Sequence, residues 1–223
     1  EAYRTLRTNI QFSSIDKKVK TIVMTSANMS EGKSTTITNL AETFAQAGNR
    51  VIVVDADLRR PRVHQLFNLE NKQGLTNVLA GQTELKQAIA SACSDVHVMT
   101  SGPVPPNPSE LLGSEKMKEL VRVLSEHYDI VLFDTPPVNA VTDAAILSTV
   151  VDGVILVVAS GNTDIEGGKR AMKSLQAVNA NLLGIVMTMI PVTKKGYYGY
   201  QYYSYETDAR TMKKRKKFFK RSK

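Results

Sequence analysis

The stretch "KTIVMTSANMSEGKSTTITNLAETFAQAG" (residues 20–48) constrains the fold of this chain more than any other. A Val- and Ile-bearing run ends at Ser26, and Gly32-Lys33-Ser34 follows. Ile37, Leu40, Ala41 and Phe44 then recur at helical spacing until Gly48 supplies a stop. Residues 27–34 fit a phosphate loop, with Ala27 in the first glycine's place. Such a loop turns a strand into a helix, so its backbone N–H groups and the helix N-terminus face polyphosphate. Lys33 is expected to reach the terminal phosphates, Ser34 to ligate Mg²⁺, and Thr35 to sit near the α-phosphate. The candidate nucleotide-binding set is Ala27, Asn28, Met29, Ser30, Glu31, Gly32, Lys33, Ser34 and Thr35.

Five further apolar runs, at 50–57, 96–101, 129–135, 153–160 and 182–188, follow the one at 20–26. They are apolar on both faces, which suits strands buried in a parallel sheet. Helix-period segments at 34–47 and 115–127 lie between them, and a proline-rich loop at 101–112 runs into a short helix. This alternation predicts a doubly wound, mostly parallel α/β sheet, a phosphate-loop NTPase of the partition and cell-division ATPase type. Residues 2–12 read as a separate N-terminal helix, giving segments 1–18, 19–190 and 191–223.

Carboxylates fall where such a fold binds ligands. "VIVVDADLRRP" places Asp55 and Asp57 two apart at a strand end, where both side chains can point to one side. "DIVLFDTPP" ends four apolar residues on Asp134, a pattern whose aspartate usually holds Mg²⁺. Asp143 reads as the cap of the helix "DAAILSTV". Arg59, Arg60 and Arg62 are expected near phosphate, at a neighbouring subunit, or simply in solvent. His64, His97 and His127 lack metal-ligand spacing. Cys93, the only cysteine, has no catalytic partner in view and fits a reducing compartment.

The net charge of +8 is unevenly distributed. Nine Lys/Arg against two carboxylates in residues 206–223 put +7 there and leave about +1 for the body. A near-neutral domain thus carries a basic end, "RTMKKRKKFFKRSK". The bland reading of that run is solvated charge; its aromatics also suit an anionic membrane surface, and nucleic acid is the weakest candidate. Six of the eight tyrosines, Tyr197, Tyr198, Tyr200, Tyr202, Tyr203 and Tyr205, lie just before it. Taken alone, that cluster could stack on single-stranded nucleic acid or sugar rings, or be a sticky end. The longest apolar runs are too short to span a membrane, and the charged N-terminus is not expected to be a signal peptide.

Taken together, the phosphate loop, "VIVVDADLRRP", "VLFDTPP", "SGPVPPNPSELL", "EAYRTLRTNI" and the tyrosine cluster resemble the bacterial tyrosine kinases of capsule and exopolysaccharide synthesis. The resemblance implies an ATP- and Mg²⁺-dependent protein-tyrosine autokinase of the separate-chain type, cytoplasmic and recruited to the membrane by a membrane-bound activator. It implies Lys33, Asp55 and Asp57 as catalytic residues, with one of the two aspartates as base (Asp55 is favoured, and the two roles can be exchanged), and Ser34, Asp57 and Asp134 on the metal. It further implies a homo-oligomeric ring joined through Glu1, Arg4 and Arg7, with the tail tyrosines of one subunit phosphorylated by the next. Other protein-tyrosine substrates and a cognate phosphatase would accompany such an enzyme. Met29 and Ser30 stand where the family more often has proline and glycine. Thr188 stands where related proteins often place an adenine-contacting asparagine.

Two other readings compete. A dimerising switch ATPase would bind membrane or DNA through the basic tail, but its signature lysine is replaced by Asn28. A non-catalytic nucleotide-binding adaptor would not need the full carboxylate set. The chain has no Asn-Lys-x-Asp, which removes guanine reading of the small-GTPase kind.

Overall fold

The computed structural model describes residues 1–13, 18–92 and 95–191. Cys93, the tail tyrosines and the basic run lie outside the described residues. The fold is a seven-stranded sheet in the order β3-β4-β2-β5-β1-β6-β7. Its strands are β1 (Thr21–Ser26), β2 (Val51–Asp55), β3 (Ile89–Ser91), β4 (Val96–Met99), β5 (Ile130–Asp134), β6 (Gly153–Ala159) and β7 (Leu182–Thr188). Every pairing is parallel except β3 with β4. β1, β2 and β5 are buried at every position, as their unbroken apolar runs require.

Two apolar layers cover the sheet. One holds Ile37, Leu40, Ala41 and Phe44 of α2 (Lys33–Ala45) against Ile22, Met24, Val51 and Val53. The other holds Met117, Leu120, Val121 and Leu124 of α6 (Glu115–His127), with Ala171 and Leu175 of α8 (Ile165–Gln176), against the opposite face. The periodicity of those residues is the 3.6-residue stripe a covering helix needs. Residues Glu1–Ile190 form one compact unit.

The antiparallel edge strand β3 was not expected, because "IAS" offers neither length nor alternation. β7 is apolar like the central strands, yet it is an edge strand and only half covered, with Ile185 50% and Met187 58% exposed. The N-terminal helix α1 (Ala2–Gln11) packs on α2 through Leu6 and Ile10. It is thus an element of the body rather than a separate piece. Asp143 is not a cap: it is the first residue of α7 (Asp143–Ser148), and its buried carboxylate faces elsewhere.

Candidate active site

Parallel sheets leave a crevice beyond the carboxyl ends of their strands. Here β1, β2 and β5 end together around a cavity of about 560 Å³. Ser30, Lys33, Ser34 and Thr35 line one side, and Asp57, Arg59, Arg60 and Arg62 another. Pro136 and Pro137, which follow β5, also reach it.

The phosphate loop is braced from within. Gly32 caps α2 at φ 79°, a left-handed conformation that glycine adopts freely. Buried Glu31 accepts the backbone N–H of Asn28 at 2.9 Å and the hydroxyl of Thr163. Its carboxylate therefore braces the loop. Asn28 donates its amide to the same carboxylate at 3.2 Å. Buried Ala27 donates its backbone N–H to Val157, continuing the β1–β6 register. Thr188 donates its hydroxyl to the Glu31 carbonyl at 2.7 Å, supporting the loop from behind. Thr163 and Thr188 were missed as loop supports because their partners lie 132 and 157 residues away in sequence.

Ser30 has φ 61°. A glycine would sit there without strain. Ser30→Gly is expected to hold or raise stability by up to about 1 kcal/mol, since strain relief competes with a freer unfolded chain. Thermal melts and nucleotide titration check this. An affinity loss beyond roughly threefold would mean that the hydroxyl, not the backbone, serves the ligand.

Three aspartates and one lysine form the charged centre. Lys33 Nζ donates to Asp134 Oδ1 and lies 3.3 Å from Ser34 Oγ. Ser34 Oγ donates to Asp134 Oδ2 at 2.8 Å. Asp55 and Asp134 are register partners on adjacent strands. Asp55 is fully buried: the N–H groups of Arg62 and Val63 donate to its Oδ2 at 3.1 and 3.0 Å, and that of Asp57 to its Oδ1 at 3.2 Å. Burial, then the neighbouring Asp134 charge, pushes the Asp55 carboxyl up to about 8, partly opposed by the Val63 N–H. Asp57 is the carboxylate of the pair on the cavity wall, and its Oδ1 accepts the Arg60 N–H at 2.9 Å. Burial raises its carboxyl as well, against the Arg60 N–H and the Lys33 charge. Asp55 thus anchors the loop after β2, and Asp57 lies on the cavity wall beside it.

The remaining expected residues lie as follows. Arg59 pairs with Asp143, which the cap reading had missed. Arg60 contacts Met29 Sδ at 3.2 Å, and Arg62 contacts Gln65 at 3.3 Å. Glu1 and Arg4 form an exposed ion pair at 2.8 Å. Arg7 donates to the Thr43 carbonyl on α2 at 2.7 Å, within its own chain. His97 contacts the Tyr128 hydroxyl at 2.6 Å, away from the cavity. Among the described residues, no group of three or more His, Cys, Asp or Glu could hold a metal ion.

Known proteins resemble this chain in sequence and fold. A family model described as an AAA domain matches residues 19–186. The tyrosine-protein kinase YwqD of Bacillus subtilis is 50% identical over 201 residues, covering 90% of this chain and 85% of that protein. The chain belongs to the bacterial tyrosine-protein kinases. Solved structures agree with its fold. The kinase domain of the Escherichia coli tyrosine kinase Etk superposes on the kinase with a TM-score of 0.84 at 35% identity, covering 90% of this chain and 79% of that one. The chimerical protein CapA2B2 gives a TM-score of 0.82 at 42% identity, covering 85% and 84% respectively. The expected class, a phosphate-loop α/β fold carrying tyrosine-kinase activity, therefore holds.

Proposed function

We propose that the kinase is an ATP- and Mg²⁺-dependent autokinase. It transfers the terminal phosphoryl group of ATP to the tyrosine cluster 197–205 of a neighbouring copy. The observation that carries this reading is the convergence of Lys33, Ser34, Asp57 and Asp134 on one cavity beside the phosphate loop.

The residues fit a hard divalent cation. Ser34, Asp57 and Asp134 offer oxygen donors, and none of them belongs to a preformed protein cage. Mg²⁺ favours such sites, completing its shell with water and substrate phosphates. When bound, it would neutralise phosphate oxygens as charge develops. The protein's own part is positioning and electrostatics. The loop N–H groups and Lys33 hold the phosphates. Asp57, on the cavity wall, takes the phenol proton or supports the cation, while buried Asp55 holds the segment that carries it. As the tyrosine oxygen bonds to the terminal phosphorus, the bond to the β-phosphate oxygen breaks and ADP leaves. A phenol with a pKa near 10 needs such a proton acceptor.

Family resemblance supports the rest of this proposal. The kinase assembles as a ring through its N-terminal helix, with Glu1 and Arg4 exposed on it. The cytoplasmic segment of a membrane-bound activator recruits it and switches it on. Its phosphorylation state regulates capsule or exopolysaccharide synthesis and export, and a cognate phosphatase resets it. No helix among the described residues is long and apolar enough to cross a membrane. Each phosphate adds about −1.5 to −2 charges, so a modified cluster would repel its neighbours and loosen the ring.

Replacing all six cluster tyrosines with phenylalanine tests the acceptor assignment. Anti-phosphotyrosine signal after incubation with ATP and Mg²⁺ should fall to background, while ADP affinity stays unchanged. Undiminished signal would move the acceptor to Tyr3, Tyr128 or another protein.

A further inference from the structure

Arg59 differs from the other arginines of the cavity in how it is held. Its Nε donates to Asp143 Oδ2 at 2.8 Å, and its Nη2 donates to Asp143 Oδ1 at 3.0 Å. The same Nη2 donates to Ser109 Oγ at 2.9 Å, and Ser109 Oγ donates to Asp143 Oδ1 at 2.7 Å. Asp143 is 0% exposed at its side chain and Arg59 is 38%. Arg60 and Arg62, by contrast, meet only a thioether and an amide.

Counting donors shows what is left over. A guanidinium carries five N–H groups in a fixed fork. Three are committed to Asp143 and Ser109. The two on Nη1 have no partner among the described residues, and Arg59 lies on the wall shared with Lys33 and Asp57. A plane fixed along one edge presents its other edge in a fixed direction. Donors set in advance cost no reorganisation when an anion arrives. Burying a carboxylate is also an expensive way to tether a loop, since the ion loses its hydration. Ser109 belongs to α5 (Pro108–Leu112), so the clamp joins the end of the proline-rich loop to the site.

We propose that Arg59 is a phosphoryl-binding guanidinium of the cavity, and that Asp143 and Ser109 are the positioning residues that aim it. The inference rests on the ATP-dependent reaction proposed above and adds a recognition element to it. The Arg59–Asp143 pair is neutral as a whole, so its contribution is directional N–H donation rather than net charge. The phosphoryl group has two sources: the terminal phosphate of ATP before transfer, and the phosphate on tyrosine after it.

Dissociation constants measured on the full chain separate these. The probes are ADP, a non-hydrolysable ATP analogue and a phosphotyrosine peptide of residues 196–206. The variants are Arg59→Lys, Asp143→Asn, Ser109→Ala and the double Arg59→Gln/Asp143→Asn, which leaves no unpaired buried charge. ADP affinity should stay within about twofold of wild type throughout, because the loop holds its phosphates. Affinity for the analogue or the phosphopeptide should fall by roughly tenfold in the first two variants and the double, the size of a lost charge-assisted hydrogen bond. Ser109→Ala should fall by about threefold, since one of three clamp contacts is lost. A loss confined to the analogue assigns Arg59 to the donor phosphate, and one confined to the peptide assigns it to the product. Full retention of analogue and phosphopeptide affinity in Arg59→Lys would overturn the role of the clamp. Unchanged affinities in every variant, with only the melting temperature lowered, would reduce the network to a tether and overturn the inference. A wild type that binds ADP but neither phosphoryl probe would overturn the Arg59 inference alone. Failure to bind any nucleotide would remove the ATP-dependent reaction, and this inference with it.

Discussion

Lys33→Met is expected to lower phosphoryl transfer by at least two to three orders of magnitude, the size of a lost electrostatic stabiliser of a transition state. It should also lower the stability of the nucleotide-free chain. Lys33 is the cation that faces Asp134, and it also pulls down the carboxyls of Asp55 and Asp57. Its side chain is 9% exposed and that of Asp134 1%, so the pair is shielded from water. Removing one partner of a buried pair leaves the other uncompensated, at a cost of about 3–5 kcal/mol. Asp55 and Asp57 without that cation should bind protons more readily, which offsets part of that loss. Turnover and thermal melts on the same preparations check both halves. Under the proposed reaction, Lys33 would leave Asp134 to meet phosphate, freeing that carboxylate for a cation. Turnover within tenfold of wild type would contradict this account of the loop.

Asp57→Asn and Asp55→Asn should each reduce transfer by about two orders of magnitude or more, for different reasons. Asp57 lines the cavity, so its loss removes a negative oxygen from the reacting region. Asp55 accepts three backbone N–H groups and thereby fixes the segment that carries Asp57 and the arginines. An asparagine there turns an N–H₂ toward one of those donors. ADP binding without Mg²⁺ should survive in Asp57→Asn within a few fold, since the loop and Lys33 are untouched. Full transfer by Asp57→Asn would remove it from both the proton and the cation role.

Most of the fold could be read from the chain because its signals are local. β1, the loop and α2 announce themselves through an apolar run, a glycine and a 3.6-residue stripe within thirty consecutive positions. What escaped depends on distance in sequence. Asp143 begins a helix, where aspartate commonly caps, and nothing nearby reveals that Arg59, 84 residues earlier, lies against it. Glu31 sits inside the loop motif, yet its carboxylate turns to Thr163. β7 carries the composition of a central strand, and only the sheet order shows that it is an edge. Asp55 and Asp57 were expected to act side by side. The strand ends at Asp55, so the alternation that aligns residues i and i+2 no longer holds at Asp57. The cavity itself was placed correctly, because the carboxyl ends of parallel strands are where such a sheet can open.

The most direct test mixes wild-type chains with isotopically labelled Lys33→Met chains in ATP and Mg²⁺, with an activating segment supplied. Mass spectrometry then maps phosphotyrosine on each population. Phosphate is expected on residues 197–205 of the labelled, inactive chains when wild type is present, and none when they are incubated alone. Phosphate confined to the wild-type chains would contradict transfer between neighbours. A tail free of phosphate on both, alongside steady ATP hydrolysis, would contradict the autokinase itself.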